Sequence, residues 1–196
     1  GSVWPLEQIE SVTAAARGHG LSLHLDGARL WNASAASGVS EAEYASHFDT
    51  VSVCFSKGLG APVGSILAGT ADVIANARFY RKQQGGAMRQ VGIIAAAARH
   101  ALEHNRSRLV DDHANGRALA NGLAKLPGLE VDAAGVETNM VFIGTGDRDA
   151  GALAKRLEEL GVRLLDTGPH TLRAVTNLTV SAEEVGQALT AFEQAL

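Results

Sequence analysis

The stretch Thr50-Val51-Ser52-Val53-Cys54-Phe55-Ser56-Lys57-Gly58-Leu59-Gly60-Ala61-Pro62-Val63-Gly64 decides how this chain is read. Its first six residues are β-branched or apolar, apart from Ser52, and predict a buried strand over Thr50–Phe55. The strand ends in Ser56 and Lys57, and Gly58, Gly60 and Gly64 follow. A lysine is almost never buried without a reason. Next to glycines that let a flat ligand approach the backbone, it is a candidate amine nucleophile. The plain alternative is a surface loop lysine.

Upstream, the pattern predicts a helix from Pro5, with Leu6, Ile9, Val12 and Ala16 at helical spacing and Gly20 as its stop. Leu21, Leu23 and Leu25 alternate with Ser22 and His24, predicting a short strand that ends at Asp26-Gly27. A loop and a polar helix around Ser40–His47 lead into the lysine strand. Downstream, Ser65–Ala68 predicts a third strand. Long helices follow over Ala71–Gln84, Val91–His104 and Ser107–Lys125.

Leu126-Pro127-Gly128 is a strong stop. Beyond it, short strands near Leu129–Val131, Met140–Ile143, Val162–Leu165 and Leu172–Val175 surround a helix over Asp149–Leu160. Ser181 and Glu184 form a capping-box pattern that opens a last helix. The sequence therefore divides into residues 1–126, part of an α/β domain, and residues 127–196, a small α+β domain. The first part offers about three strands, fewer than the usual ~4–6. A parallel sheet is normally covered on both faces. The expectation is that an N-terminal segment, or a separate chain, supplies the missing strands.

Composition narrows the function. Charged residues make up 19% and apolar residues 46% of the 196, which suits a folded core. The net charge of -4 leaves no basic excess for nucleic acid. No apolar run approaches the ~18 residues of a membrane span, so no membrane partner is expected. The single cysteine, Cys54, excludes an internal disulfide and points to the cytoplasm. Glycine is high, at 22 residues, and its cluster around Lys57 accounts for part of the excess.

Asp26 and Lys57 end neighbouring predicted strands, where ligands of open α/β sheets collect. Together they match the needs of pyridoxal 5′-phosphate. A lysine can bond to its aldehyde, and a carboxylate can keep its pyridine nitrogen protonated so that the ring draws in electrons. Arg29 lies close enough in sequence to reach the same cleft. Spacing alone is a moderate signal, because strand-end Asp and Lys are common.

Four blocks sharpen it. His24-Leu25-Asp26-Gly27-Ala28-Arg29-Leu30-Trp31-Asn32-Ala33 resembles the HxDGARxxNA segment of the threonine aldolases that use pyridoxal phosphate. Ser52 to Ser65 resembles that family's lysine segment, Gly85-Gly86-Ala87-Met88-Arg89-Gln90 its GGGMRQ segment, and Thr138-Asn139-Met140-Val141-Phe142 its TNMVF strand. Gly1-Ser2-Val3-Trp4-Pro5 fits its GxVxP pattern. The blocks keep the family's order and span most of the chain.

The resemblance implies the C-terminal part of a fold-type I large domain followed by a small α+β domain. It implies a lyase that cleaves β-hydroxy-α-amino acids such as threonine to glycine and an aldehyde. Lys57 would bond to the cofactor, Asp26 would meet its ring nitrogen, and Ser56 would lie near it. Arg29 would lie beside the ring hydroxyl and the substrate carboxylate. Arg173 would grip that carboxylate, which a guanidinium does well. Arg89, with Lys82, matches basic positions near the cofactor phosphate or a subunit boundary. The resemblance also implies a homo-oligomer, a dimer or tetramer. The family's phosphate-binding turn and its cofactor-stacking histidine would lie upstream of Gly1. Related reactions stay open: β-elimination, phenylserine cleavage, racemization, or an inactive fragment that needs an N-terminal chain. Two departures concern substrate preference and subunit contacts: Asn177 where the family has His, and Ala87 for the third glycine.

Other signals read as structure. His100 and His104 stand one helical turn apart with no third ligand, so no metal is expected. Cys54 reads as a small buried hydrophobe, and Asp111, Asp112 and His113 as a solvated helix face.

Overall fold

The computed structural model describes all 196 residues, which divide into two compact units, Trp4–Ser107 and Gly1–Val3 with Arg108–Leu196. The Leu-Pro-Gly stop places a boundary after Leu126. The compact units part nineteen residues earlier, before Arg108, because the helix over Leu109–Leu123 packs within the C-terminal unit.

The first unit begins with α1 (Leu6–Gly18) and β1 (His24–Gly27). Then come α2 (Leu30–Ser37), α3 (Glu41–Ser46), β2 (Thr50–Cys54), β3 (Ser65–Gly69), α4 (Ala71–Gln83) and α5 (Gly92–His104). Strand order is β1-β2-β3. β1 and β2 run parallel, β2 and β3 antiparallel. Val51 and Val53 face a core with Ile9, Leu30 and Tyr44. Asp49 fastens the start of β1 to that of β2. Its carboxylate accepts from the Leu23 amide at 2.7 Å and from Arg17 at 3.1 Å. Those bonds, the amide first, hold the Asp49 carboxyl below its usual range.

The alternating leucines predict a first strand over Leu21–Leu25; it pairs later, because its register with Thr50–Val53 starts at His24. No sequence pattern announces α2. The Ala- and Ser-rich run Leu30–Ser37 has no strong apolar stripe, and it is capped by Gly38 at φ 77°. Cys54, expected in the core, is half-buried, because strand alternation turns it away from Val51 and Val53. All five residues of β3 and every side chain of α4 lack full burial.

The second unit holds α6 (Leu109–Leu123), β4 (Met140–Gly144), α7 (Ala150–Glu159), β5 (Leu165–Gly168), β6 (Thr171–Val175) and α8 (Ala182–Ala195). Its antiparallel sheet has the order β4-β6-β5. Val141, Ile143, Leu172 and Ala174 turn one face to a core shared with Leu123, Leu157, Val185 and Phe192. The capping box at Ser181 and Glu184 forms as its sequence predicts. The Leu129–Val131 strand is reduced to one bridge, Glu130 to Gly144. The predicted Val162–Leu165 strand pairs later, from Leu165.

The expected solvated face on α6 is only partly so. Asp112 and His113 are buried, at 0% and 2% exposure. They share a stripe with Leu109, Gly116, Leu119 and Leu123 that lies under β4 and α8. Arg108 pairs with the Asp112 carboxylate one turn away, and the Thr176 hydroxyl donates to the Asp112 carbonyl at 2.6 Å. Gly116 makes the fit possible, since a Cβ there would lie 2.8 Å from the Thr138 carbonyl oxygen.

No helix is long and apolar enough to cross a membrane.

Candidate active site

The parallel β1–β2 pair sets the site in the first unit. Asp26 and Ser52 are register partners, so Asp26 stands one residue before the end of β1, and Lys57 lies three residues beyond the end of β2. Both side chains are exposed. Asp26 Oδ1 accepts from the Ala28 amide at 3.1 Å, which fixes the carboxylate at the strand end. Gly27 lets the chain leave the strand close to its neighbour, since a Cβ there would meet the Ser52 carbonyl oxygen at 2.8 Å. Arg29 then opens α2 and is half-buried.

The lysine loop is held from below. Phe55 N–H donates to Gly64 O at 3.0 Å, Ala61 N–H to Phe55 O at 3.0 Å, and Gly60 N–H to Lys57 O at 2.9 Å. Gly60 takes φ 74°, a region open to glycine at little cost. Leu59 is wholly buried, and the Asn105 side-chain amide donates to its carbonyl at 2.7 Å. Ser56 and Lys57 are left at the exposed crest, and the Lys57 amine has no ion-pair or hydrogen-bond partner. Sequence patterns do not reveal Asn105, because its partner is 46 residues away.

An amine and a carboxylate at one end of a parallel strand pair fit the aldehyde and the ring nitrogen of pyridoxal phosphate. Neither is consumed by an ion pair, and the crest is open to a ligand.

Arg89 lies on the exposed turn between α4 and α5, and Lys82 near the exposed end of α4; neither forms an ion pair. The structure does not join either of them to Asp26 or Lys57 by a hydrogen bond. In the second unit, Arg173 occupies the middle strand of the sheet, paired with Phe142 and Leu165. Its Nε is buried with no hydrogen-bond partner. An unpaired buried donor costs about 1–3 kcal/mol, and a carboxylate would relieve it. His100 and His104 lie side by side on an exposed face of α5, their rings tilted by 46° with centroids 4.4 Å apart, and no third ligand-type residue joins them.

Comparison with known proteins places the chain in a family. The Beta-eliminating lyase family model matches residues 1–145. Low-specificity L-threonine aldolase 1 of Arabidopsis thaliana is 42% identical over all of this chain and 56% of its own length. The low specificity L-threonine aldolase of Escherichia coli strain K12 is 40% identical over 95% of this chain and 55% of its own. A crystal structure from Exiguobacterium sp. 255-15, provisionally assigned as an aromatic amino acid beta-eliminating lyase/threonine aldolase, superposes with a TM-score of 0.84. It is 25% identical and covers 100% of this chain and 58% of that one. The chain thus spans little more than half the length of these relatives. The α/β fold-type I architecture that the sequence blocks imply is the architecture found. With a family match over about three quarters of its length and curated relatives about 40% identical along nearly all of it, the chain belongs to the Beta-eliminating lyase family.

Proposed function

We propose that the full-length protein cleaves β-hydroxy-α-amino acids of the threonine type to glycine and an aldehyde, with pyridoxal phosphate as cofactor. One observation carries the reading: Asp26 and Lys57 stand, exposed and without ion pairs, at the same end of a parallel strand pair. The names of the relatives support the substrate class.

Lys57 would hold the cofactor covalently, Asp26 its ring nitrogen, and Ser56 and Arg29 its flanks, with Arg89 as a further basic contact. Bound pyridoxal phosphate supplies an electron sink for the pair released when the Cα–Cβ bond breaks. Arg173 binds the substrate carboxylate with its fork, which orients that bond. The hydroxyl proton leaves as the aldehyde forms, and Cα gains a proton to give glycine. The anchored loop under Lys57 keeps the amine from wandering.

The same reading makes the protein a cytoplasmic homo-oligomer and divides it into a large domain over 1–126 and a small one over 127–196. The lone Cys54 supports a reducing compartment. Exposed Phe79, Tyr80, Met88 and Ile93 support a covering partner or segment over α4 and α5.

The matched family's name favours one rival, β-elimination to an oxo acid and ammonia. Incubating the protein with threonine and pyridoxal phosphate separates the two. Glycine and acetaldehyde in equal amounts are expected. An oxo acid with ammonia, and no glycine, would overturn the aldolase reading.

A further inference from the structure

The sheet of the second unit has two unlike faces. One is core, through Val141, Ile143, Leu172 and Ala174. The other carries one arginine between two large apolar side chains. Phe142 on β4 and Leu165 on β5 are the register partners of Arg173 on β6. Opposed residues of antiparallel pairs share a face, with Cβ atoms about 4.5–5.5 Å apart. So Phe142, Arg173 and Leu165 form one rung.

That rung breaks the usual pattern, in which the solvated face of an antiparallel sheet is polar. Phe142 is 47% and Leu165 55% exposed, so neither serves the core. The neighbouring rungs hold Gly144, Thr171 and Gly168 on one side and Met140 and Val175 on the other. None of these is acidic; Glu130, bridged to Gly144 at the outer side of β4, brings one carboxylate to this face, and no ion pair joins it to Arg173. Its Nε is nonetheless buried, without a partner.

We propose that Phe142 and Leu165 are positioning residues for Arg173, restricting its guanidinium and excluding water beside it. This rests on the reading that Arg173 binds the substrate carboxylate. A fork held between two apolar walls loses less rotational freedom on binding. Its bonds to a carboxylate also strengthen as water is removed. Serine at either wall would admit water and free the fork. The effect falls on substrate binding, because the walls act through the Arg173 fork that holds the carboxylate.

The test is steady-state kinetics of threonine cleavage by the full-length protein carrying Phe142→Ser, Leu165→Ser, Phe142→Leu and Arg173→Lys, with Phe142→Ser also made on the Arg173→Lys background. Each serine variant is expected to raise KM about three- to tenfold with kcat nearly unchanged, a partial loss of one charge-assisted bond. Phe142→Leu keeps the wall and should stay close to the parent KM. On the Arg173→Lys background, Phe142→Ser should add little, because the planar fork it aligns is gone. If Arg173→Lys raises KM but the serine variants do not, the positioning role is overturned and the carboxylate role stands. The positioning role is overturned in the same way if Phe142→Ser raises KM equally on both backgrounds. If Arg173→Lys leaves KM unchanged, the carboxylate role fails and the positioning role falls with it.

Discussion

The side-chain amide of Asn105, at the end of α5, donates a hydrogen bond of 2.7 Å to the carbonyl oxygen of Leu59, two residues beyond Lys57. Leu59 is itself fully buried, so the bond ties the lysine loop to a helix rather than to solvent. Asn105→Ala removes the donor and leaves the Leu59 carbonyl in want of one. We expect a loss of about 1 kcal/mol in stability and a several-fold weaker affinity for pyridoxal phosphate. Titrating cofactor-free protein with pyridoxal phosphate reads the second effect. Parent-like affinity would mean that the loop is held without this bond.

Two glycines on helices should respond in opposite directions to alanine. At Gly116 on α6 the new Cβ would meet the Thr138 carbonyl oxygen at 2.8 Å, and backbone there cannot yield cheaply. Gly116→Ala should cost about 1–3 kcal/mol. At Gly186 on α8 nothing lies within 4 Å of the new Cβ, and the position is exposed. Gly186→Ala should gain up to about 1 kcal/mol through helix propensity. Urea midpoints of the two variants test the pair, and a Gly116→Ala midpoint that does not fall would count against the packing described for α6.

His113 should give stability a pH dependence whose sign follows from its burial. Its burial, together with Arg117 nearby, lowers its pKa below the ordinary value, and Asp112 opposes them. The folded state then holds His113 neutral while the unfolded chain takes up a proton at about pH 6.5. Its contribution is intact above that pH and is lost as pH falls from there toward the folded value. Asp49 and Glu184 are shifted in the same direction but from the carboxylate range, so their losses begin well below it. We therefore expect the urea midpoint to fall between about pH 7 and about pH 5, and His113→Gln to flatten that fall. Equal slopes for the two proteins would remove His113 as the cause.

Much of this was legible in the sequence where short-range pattern decides. Apolar strands, glycine stops and the Ser181 capping box located most elements, and the pattern placed Asp26 and Lys57 at the ends of neighbouring strands, where the structure has them. Long-range packing was less visible. Asp112 and His113 read as polar surface because their burial depends on a sheet and a helix far along the chain, although Gly116 on the same stripe was a sign of close approach. The rung of Phe142, Arg173 and Leu165 needs register across three strands, which no single strand reveals. The α2 helix was lost because its short Ala and Ser run lacks an apolar face.

The central claim is that Lys57 is the residue that bonds to the cofactor. It is exposed, so its replacement should leave the fold intact. The decisive measurement is the near-visible absorption of the full-length protein after addition of pyridoxal phosphate and removal of the excess, with threonine cleavage assayed on the same sample. The parent should keep the band and cleave threonine, whereas Lys57→Ala should lose both while circular dichroism is unchanged. A Lys57→Ala protein that keeps the band and turns over at the parent rate would contradict the account.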